Sequence, residues 1–294
     1  MCHEGAYQYK RMPFGLTNAP AKFHRALDII LAGVKWQSCL IYLEDVIVYS
    51  RTEEEHIGLV DHVPRLLREA GVTLCEPKCR FCCTTVEYLG LEIKPDRLGV
   101  MDAHTHELHK AQLPTTRTHV RSIVGLCNVF RRFVQKFARM AAPLTDLMRS
   151  TAPVLVPPAT LLQQQAFDRL KEALTTPPVL AVPRRGRKYV LDVAPCGTQV
   201  GAALLQEQDD GKLQPVAYIS RRLKTNKIPY GVTEKECLAV VWASLKLRPY
   251  LEGDCSLVRT DHECLLWILN CEGLTNPRLE RWRLRLSELE FDVA

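Results

Sequence analysis

A chain of 294 residues, 47% hydrophobic and 24% charged, has the make-up of globular protein with about two domains. No apolar run approaches the ~20 residues of a membrane-spanning helix, and Met1-Cys2-His3-Glu4-Gly5 lacks a signal peptide's apolar core, so the chain reads as intracellular with no membrane partner. Twelve cysteines scattered without an even framework argue for reduced thiols rather than a disulfide scaffold, and the formal charge of +6 is unevenly spread: Lys110–Ser150 holds eight bases against one acid, Asp146.

In chain order, Pro20 after Asn18 signals a helix start, and Phe23, Ala26, Leu27, Ile30 and Leu31 recur behind it at helical spacing. Ile41–Leu43 and Val46–Tyr49 are rich in β-branched and aromatic residues and predict two strands meeting at Glu44-Asp45. Adjacent carboxylates repel unless a cation lies between them, and oxygen ligands of this kind suit magnesium or manganese. An isolated acidic turn is more often merely solvated, so this pair needs context. Glu53–Ala70 reads as a helix ended by Gly71, with Pro64 inside it at a cost of about 3 kcal/mol or a kink. Val72–Leu74 and Phe81–Ile93 predict further strands. Cys75, Cys79, Cys82 and Cys83 with His104, His106 and His109 superficially offer zinc ligands, but the spacing is loose. Cys82 and Cys83 as strand neighbours would also face opposite ways, which argues against zinc.

Thr116–Phe137 predicts a basic amphipathic helix, with Val120, Ile123, Val124, Cys127, Phe130, Val134 and Phe137 on one face and Arg117, Arg121, Arg131, Arg132 and Lys136 elsewhere. The proline-rich stretch 151–162 lacks periodicity and reads as a linker. Beyond it come a helix over 166–174, strands over 189–192, 200–205 and 216–220, a helix over 233–247, a strand over 256–259, and helices around Leu265 and Leu279. This order predicts a mixed sheet covered by helices.

The run Met12-Pro13-Phe14-Gly15-Leu16-Thr17-Asn18-Ala19-Pro20-Ala21-Lys22-Phe23, with Tyr42-Leu43-Glu44-Asp45, resembles the palm of gypsy-type retrotransposon reverse transcriptases. The resemblance implies that Phe14 and Gly15 lie against the incoming nucleotide and template, and that Glu44 and Asp45 are catalytic metal ligands. It also implies that Tyr88-Leu89-Gly90 supports the primer and that the basic region with Ala141–Leu147 is a thumb gripping the duplex through phosphates. Thr233-Glu234-Lys235-Glu236-Cys237-Leu238-Ala239 and Arg259-Thr260-Asp261-His262 resemble the ribonuclease H domain of the same elements. There Glu236 and Asp261 are implied as ligands of two magnesium ions about 4 Å apart.

The expectation is an α/β (α+β) chain: a palm remnant over 1–94, a thumb-like region over 95–150, a linker over 151–162, and a C-terminally incomplete ribonuclease H-like mixed sheet over 163–294. The resemblance implies RNA-directed DNA synthesis from dNTPs on a primer-template duplex, cleavage of RNA in RNA-DNA hybrids, and two-metal Mg2+ or Mn2+ sites. Three departures lead us to expect impaired catalysis in incomplete sites. Glu44 replaces the family's first hairpin Asp, the family's upstream Asp is missing before the glycine motif, and Ala194 falls where the nuclease has its first Asp. Asp192 is the nearest substitute, on the same strand face but about 6.6 Å away. A non-catalytic nucleic-acid-binding remnant, or the product of a decayed element, is the alternative.

Overall fold

The computed structural model describes residues 3, 5, 7–13, 15–149, 160–176, 178–253, 256–260, 276–289 and 291–293. Phe14, Asp261, the helix read around Leu265 and most of the 151–162 stretch lie outside the described residues. The chain divides into two compact units, Met1–Thr84 and Thr85–Ala294.

In the first unit, helix α1 (Ala19–Ile30) starts with Pro20 in its first turn, where a missing N–H costs nothing. It packs Leu27, with Leu31 just beyond, on an antiparallel pair of strands, β1 (Cys39–Tyr42) and β2 (Asp45–Val48). Phe23 and Ala26, expected on the buried face, are exposed. Helix α2 (Glu53–Glu69) is capped by Thr52, whose hydroxyl accepts from the Glu55 amide at 3.2 Å, and carries three acids in its first turn, where the helix dipole favours them. It runs on through Pro64, because burial of Val63 and Leu67 offsets the lost hydrogen bond. Among the described residues the core is six buried ones: Leu27, Leu31, Cys39, Ile41, Val63 and Leu67.

The strands expected over 72–74 and 81–85 do not form. Leu74 and Phe81 are exposed, so burial supplies no force to hold those segments extended against a neighbour. Cys82 has a left-handed φ of 51°, so strand alternation does not separate it from Cys83.

The second unit opens with the hairpin β3 (Val86–Tyr88) and β4 (Leu91–Ile93). Its turn, Leu89-Gly90, has φ of 51° and 80°, and a Cβ at Gly90 would lie 3.1 Å from His104 Nε2. Strand β5 (Arg97–Val100) pairs with β4, and β6 (Leu180–Ala181) pairs with β5. Between them run α3 (Asp102–Lys110), α4 (Arg117–Val129), α5 (Phe137–Met140), α6 (Ala142–Asp146) and α7 (Leu161–Thr175).

Helix α7 begins inside the expected linker, because Thr160 and Gln163 form a reciprocal capping box. Its Phe167, Leu170 and Leu174 are buried with Val120, Val124, Phe130 and Phe133 of the basic region. The expected single helix over 116–137 is broken. Helix α4 ends at Val129, a 3-10 turn covers Arg131–Phe133, and Lys136 takes φ 56° before α5. Phe130, Phe133, Val134 and Phe137 all stay buried, so the core accepts the turn as readily as the helix.

The expected mixed sheet has the order β11-β10-β7-β8-β9. Strands β7 (Tyr189–Cys196), β8 (Gln199–Glu207) and β9 (Leu213–Arg222) form an antiparallel meander. Strand β10 (Ser256–Arg259) lies parallel to β7 and to β11 (Phe291–Val293). Helix α8 (Val232–Lys246) buries Cys237, Leu238 and Val241 with Leu191, Leu204 and Val216 of the sheet. Helices α9 (Arg248–Leu251) and α10 (Pro277–Leu286) add Leu251 and Leu286 to the same core. Among the described residues no helix is long and apolar enough to cross a membrane.

Candidate active sites and nucleic-acid interface

Tyr42 pairs with Asp45 at the end of the β1–β2 ladder, leaving Leu43-Glu44 as a two-residue turn. Leu43 has φ 54°, a conformation that suits glycine, so the tip is held by its surroundings. One support is visible: the Leu43 amide donates to His24 Nδ1 of α1 at 3.1 Å. His24 Nε2 lies 3.6 Å from Asp28 Oδ2, and Asp28 is paired to Lys35, whose hydrogen bond holds the Asp28 carboxyl below the usual range. Glu44 and Asp45 are both exposed, with their oxygens open to a cation. Gly15 is exposed with φ 89°, and a Cβ there would meet nothing within 4 Å, so a ligand could approach its backbone closely.

On the sheet, Asp192 of β7 sits opposite Ala203 of β8 and Arg259 of β10. Its Oδ1 is buried without a hydrogen bond, and the Arg259 guanidinium lies 3.7 Å from it. Ala194 is exposed opposite Gly201, and Glu236 is half-buried near the start of α8. Among the described residues no three His, Cys, Asp or Glu side chains come together in a metal-holding group.

The expected basic interface is only partly free. Arg131 donates to Ser220 O of β9 and, at 3.2 Å, to Asn128 Oδ1, and it lies over Phe137. Arg132 stacks on Phe133 with its Nε buried, Arg117 has its Nε buried, and Arg121 reaches Met148 O at 3.5 Å. Ser220 Oγ accepts from the Ala138 amide at 2.9 Å, and Arg222 pairs with Asp146 at 2.6 Å, which ties the helical region to β9. Lys136 is exposed and makes none of these contacts. In the sequence Arg139 stands only as one of the eight bases and Arg259 only as part of the nuclease motif; the surroundings that Arg139 and Arg169 share with Lys136, and the partners of His24 and Arg259, depend on residues far along the chain.

Residues 2–93 match the family described as reverse transcriptase (RNA-dependent DNA polymerase), and residues 160–258 match the RNase H-like domain found in reverse transcriptase. The chain is 33% identical, over 98% of its length, to the retrovirus-related Pol polyprotein from transposon 297 of Drosophila melanogaster. Those stretches are reverse transcriptase and RNase H-like domains, and the chain is similar to transposon Pol polyproteins. The transposon Tf2-3 polyprotein of Schizosaccharomyces pombe is 30% identical over 99% of the chain. The segment spans 26% and 22% of those two relatives.

A solved foamy viral protease-reverse transcriptase in complex with double-stranded DNA has the same fold, with a TM-score of 0.80 and 21% identity over 97% of the segment and 50% of that chain. Another, in complex with an RNA/DNA hybrid, gives 0.77 and 21% over 97% of the segment and 39% of that chain.

Domains of these two families generally depend on divalent metal. The donor set of Glu44 and Asp45 fits such an ion: two exposed, adjacent carboxylates with no cation paired to either among the described residues. Asp192 does not fit, because a guanidinium already stands at its buried oxygen where a metal ion would be needed.

Proposed function

We propose that this segment supplies the palm, thumb-like and RNase H-like parts of a gypsy-type retrotransposon Pol protein acting inside the cell, in the cytoplasm, in virus-like particles or in the nucleus. Its activity would be RNA-directed DNA synthesis from dNTPs on a primer-template duplex, with cleavage of RNA in RNA-DNA hybrids. The observation that carries this reading is the exposed Glu44-Asp45 pair at a braced hairpin tip. Within the segment, the packing of α7 with α4 supports extending the thumb-like region from Lys94 through Thr175, ahead of the sheet.

When bound, two divalent cations, Mg2+ or Mn2+, would supply the positive charge that activates an attacking oxygen and stabilises the leaving one. Glu44 and Asp45 would hold them in the polymerase half, and Glu236 and Asp261 in the nuclease half. Gly15, beside Phe14, lets substrate approach the backbone, and His24 fixes the turn through the Leu43 amide. Catalysis is expected to be weak. Glu44 carries its carboxylate one methylene further out than Asp, and a displacement of ~1 Å at a reacting centre can cost on the order of a hundredfold. In the nuclease half Ala194 offers no ligand. A binding protein without catalysis is the second reading, favoured by the Arg259–Asp192 pair.

Magnesium-dependent primer extension by the purified chain tests the first reading. Glu44→Asp is expected to raise the rate roughly 10- to 100-fold, and Asp45→Asn to abolish it. An unchanged rate in both variants would remove the hairpin from the mechanism.

A further inference from the structure

The turn of the β3–β4 hairpin is a two-residue loop closed by the Tyr88–Leu91 pair. Leu89 and Gly90 take φ of 51° and 80°, the two positive values that a type I′ turn needs. Glycine adopts them freely and leucine does not, yet Leu89 is 46% exposed, so its own burial does not hold the turn. Strand β3 is three residues long and stands at the edge of its sheet, so few ladder hydrogen bonds hold it either. Two contacts at Gly90 remain. Its carbonyl accepts from the Met101 amide at 3.3 Å, and a Cβ on it would lie 3.1 Å from His104 Nε2 and 3.5 Å from Phe130 Cζ. The ring of His104, on α3, lies tilted on that of Phe130 with centroids 5.3 Å apart, and Phe130 is buried in the core that α4 shares with α7. The β1–β2 tip of the first unit is built alike, with Leu43 at φ 54° backed by His24.

We infer that His104 is a positioning residue: acting through the backbone of Gly90, it holds the β3–β4 turn against Phe130 in the form that receives the recessed 3′ end of a primer. The inference rests on the reading that Tyr88-Leu89-Gly90 supports the primer, and it adds the side chain that sets the turn. A left-handed leucine persists only where its surroundings over-determine it, and here they are one ring and one amide. Without the ring, a space opens beneath Gly90 into which the turn relaxes toward ordinary negative φ. Because the ring also lies on Phe130, the turn takes its place from the thumb-like helices rather than from its own short strands.

The test is a pair of binding titrations, one with a primer-template carrying a recessed 3′ end and one with a blunt duplex of the same length. His104→Ala is expected to weaken binding of the recessed end roughly 2- to 10-fold, the worth of one aromatic contact, and to leave the blunt duplex unchanged. His104→Gln, whose amide reaches as far as Nε2, is expected to restore the recessed-end affinity. Gly90→Ala sets a Cβ against the ring and is expected to weaken the recessed end too, whereas the double variant Gly90→Ala/His104→Ala should bind little worse than either alone. An unchanged recessed end, equal weakening on both ligands, no rescue by glutamine, or additive losses in the double variant would overturn the inference while leaving primer support standing. Hydrogen exchange reads the same contact without a ligand: in His104→Ala the Met101 amide, which donates to Gly90, is expected to exchange faster while the amides of α4 keep their protection. Unchanged exchange at Met101 would also overturn it. Equal binding of both ligands by the unmodified chain would remove the primer-supporting reading and the inference together.

Discussion

The hairpin tip of the first unit and the central strand β7 of the second both stand where a metal-binding acid is expected, and they are provisioned in opposite ways. At the tip, Glu44 and Asp45 are open to solvent, on a turn braced through a histidine and a backbone amide. On the sheet, Asp192 has one oxygen buried with Arg259 at 3.7 Å, and Ala194 has no acid to offer. A guanidinium is a fixed counter-ion that satisfies a carboxylate without chemistry, whereas an exposed acid pair keeps its repulsion until a cation arrives. The supports differ too: among the described residues six buried ones underlie the hairpin, whereas twenty form the core of the sheet.

The largest expected effect tests that last difference. Leu31→Ala and Leu204→Ala each remove a fully buried side chain and should each cost about 2–5 kcal/mol. Against the small core the loss should abolish hydrogen-exchange protection of the β1–β2 amides. The sheet should keep its protection in Leu204→Ala, and comparable loss at both sites would erase the contrast in support.

Thiols sharpen the same contrast through pH. Burial pushes Cys127 up to about 11 and Cys237 up to about 12 from an ordinary 9.0. A group raised on folding stabilises the folded state fully below its unfolded value and loses that contribution as pH rises through the folded one. The second unit is therefore expected to lose up to about 3–4 kcal/mol per thiol between pH 9 and roughly 11–12. Cys127→Ala and Cys237→Ala variants should flatten that alkaline limb of a urea-unfolding series, and an unchanged limb would show the thiols to be accessible.

The smallest effect concerns Arg259. Arg259→Gln removes the guanidinium beside Asp192 and is expected to raise Mn2+ affinity of the sheet about tenfold, or ~1.4 kcal/mol, by proton relaxation titration. No gain would mean that Asp192 is turned away from any cation site.

Much of this was legible in the residues. β-Branched runs on either side of Glu44-Asp45 determined the hairpin, Pro20 the start of α1, and the strand-then-helix order of the C-terminal half the mixed sheet. These features rest on local propensity and on patterns only a few residues long. The break after Val129 was not legible, because Phe130, Phe133, Val134 and Phe137 have helical spacing whether the chain continues as a helix or turns on Lys136. The start of α7 was hidden by the prolines before it, although Thr160 and Gln163 carried a capping signal.

Which charges are free was decided by tertiary structure alone. Arg131 and Ser220 are 89 positions apart, Arg222 and Asp146 are 76 apart, and Arg259 meets Asp192 only because β10 lies parallel to β7. Composition sets how many cations a segment has. Coulomb attraction acts through space, so only the folded chain determines which of them are already neutralised and which, like Lys136, Arg139 and Arg169, have no ion pair among the described residues.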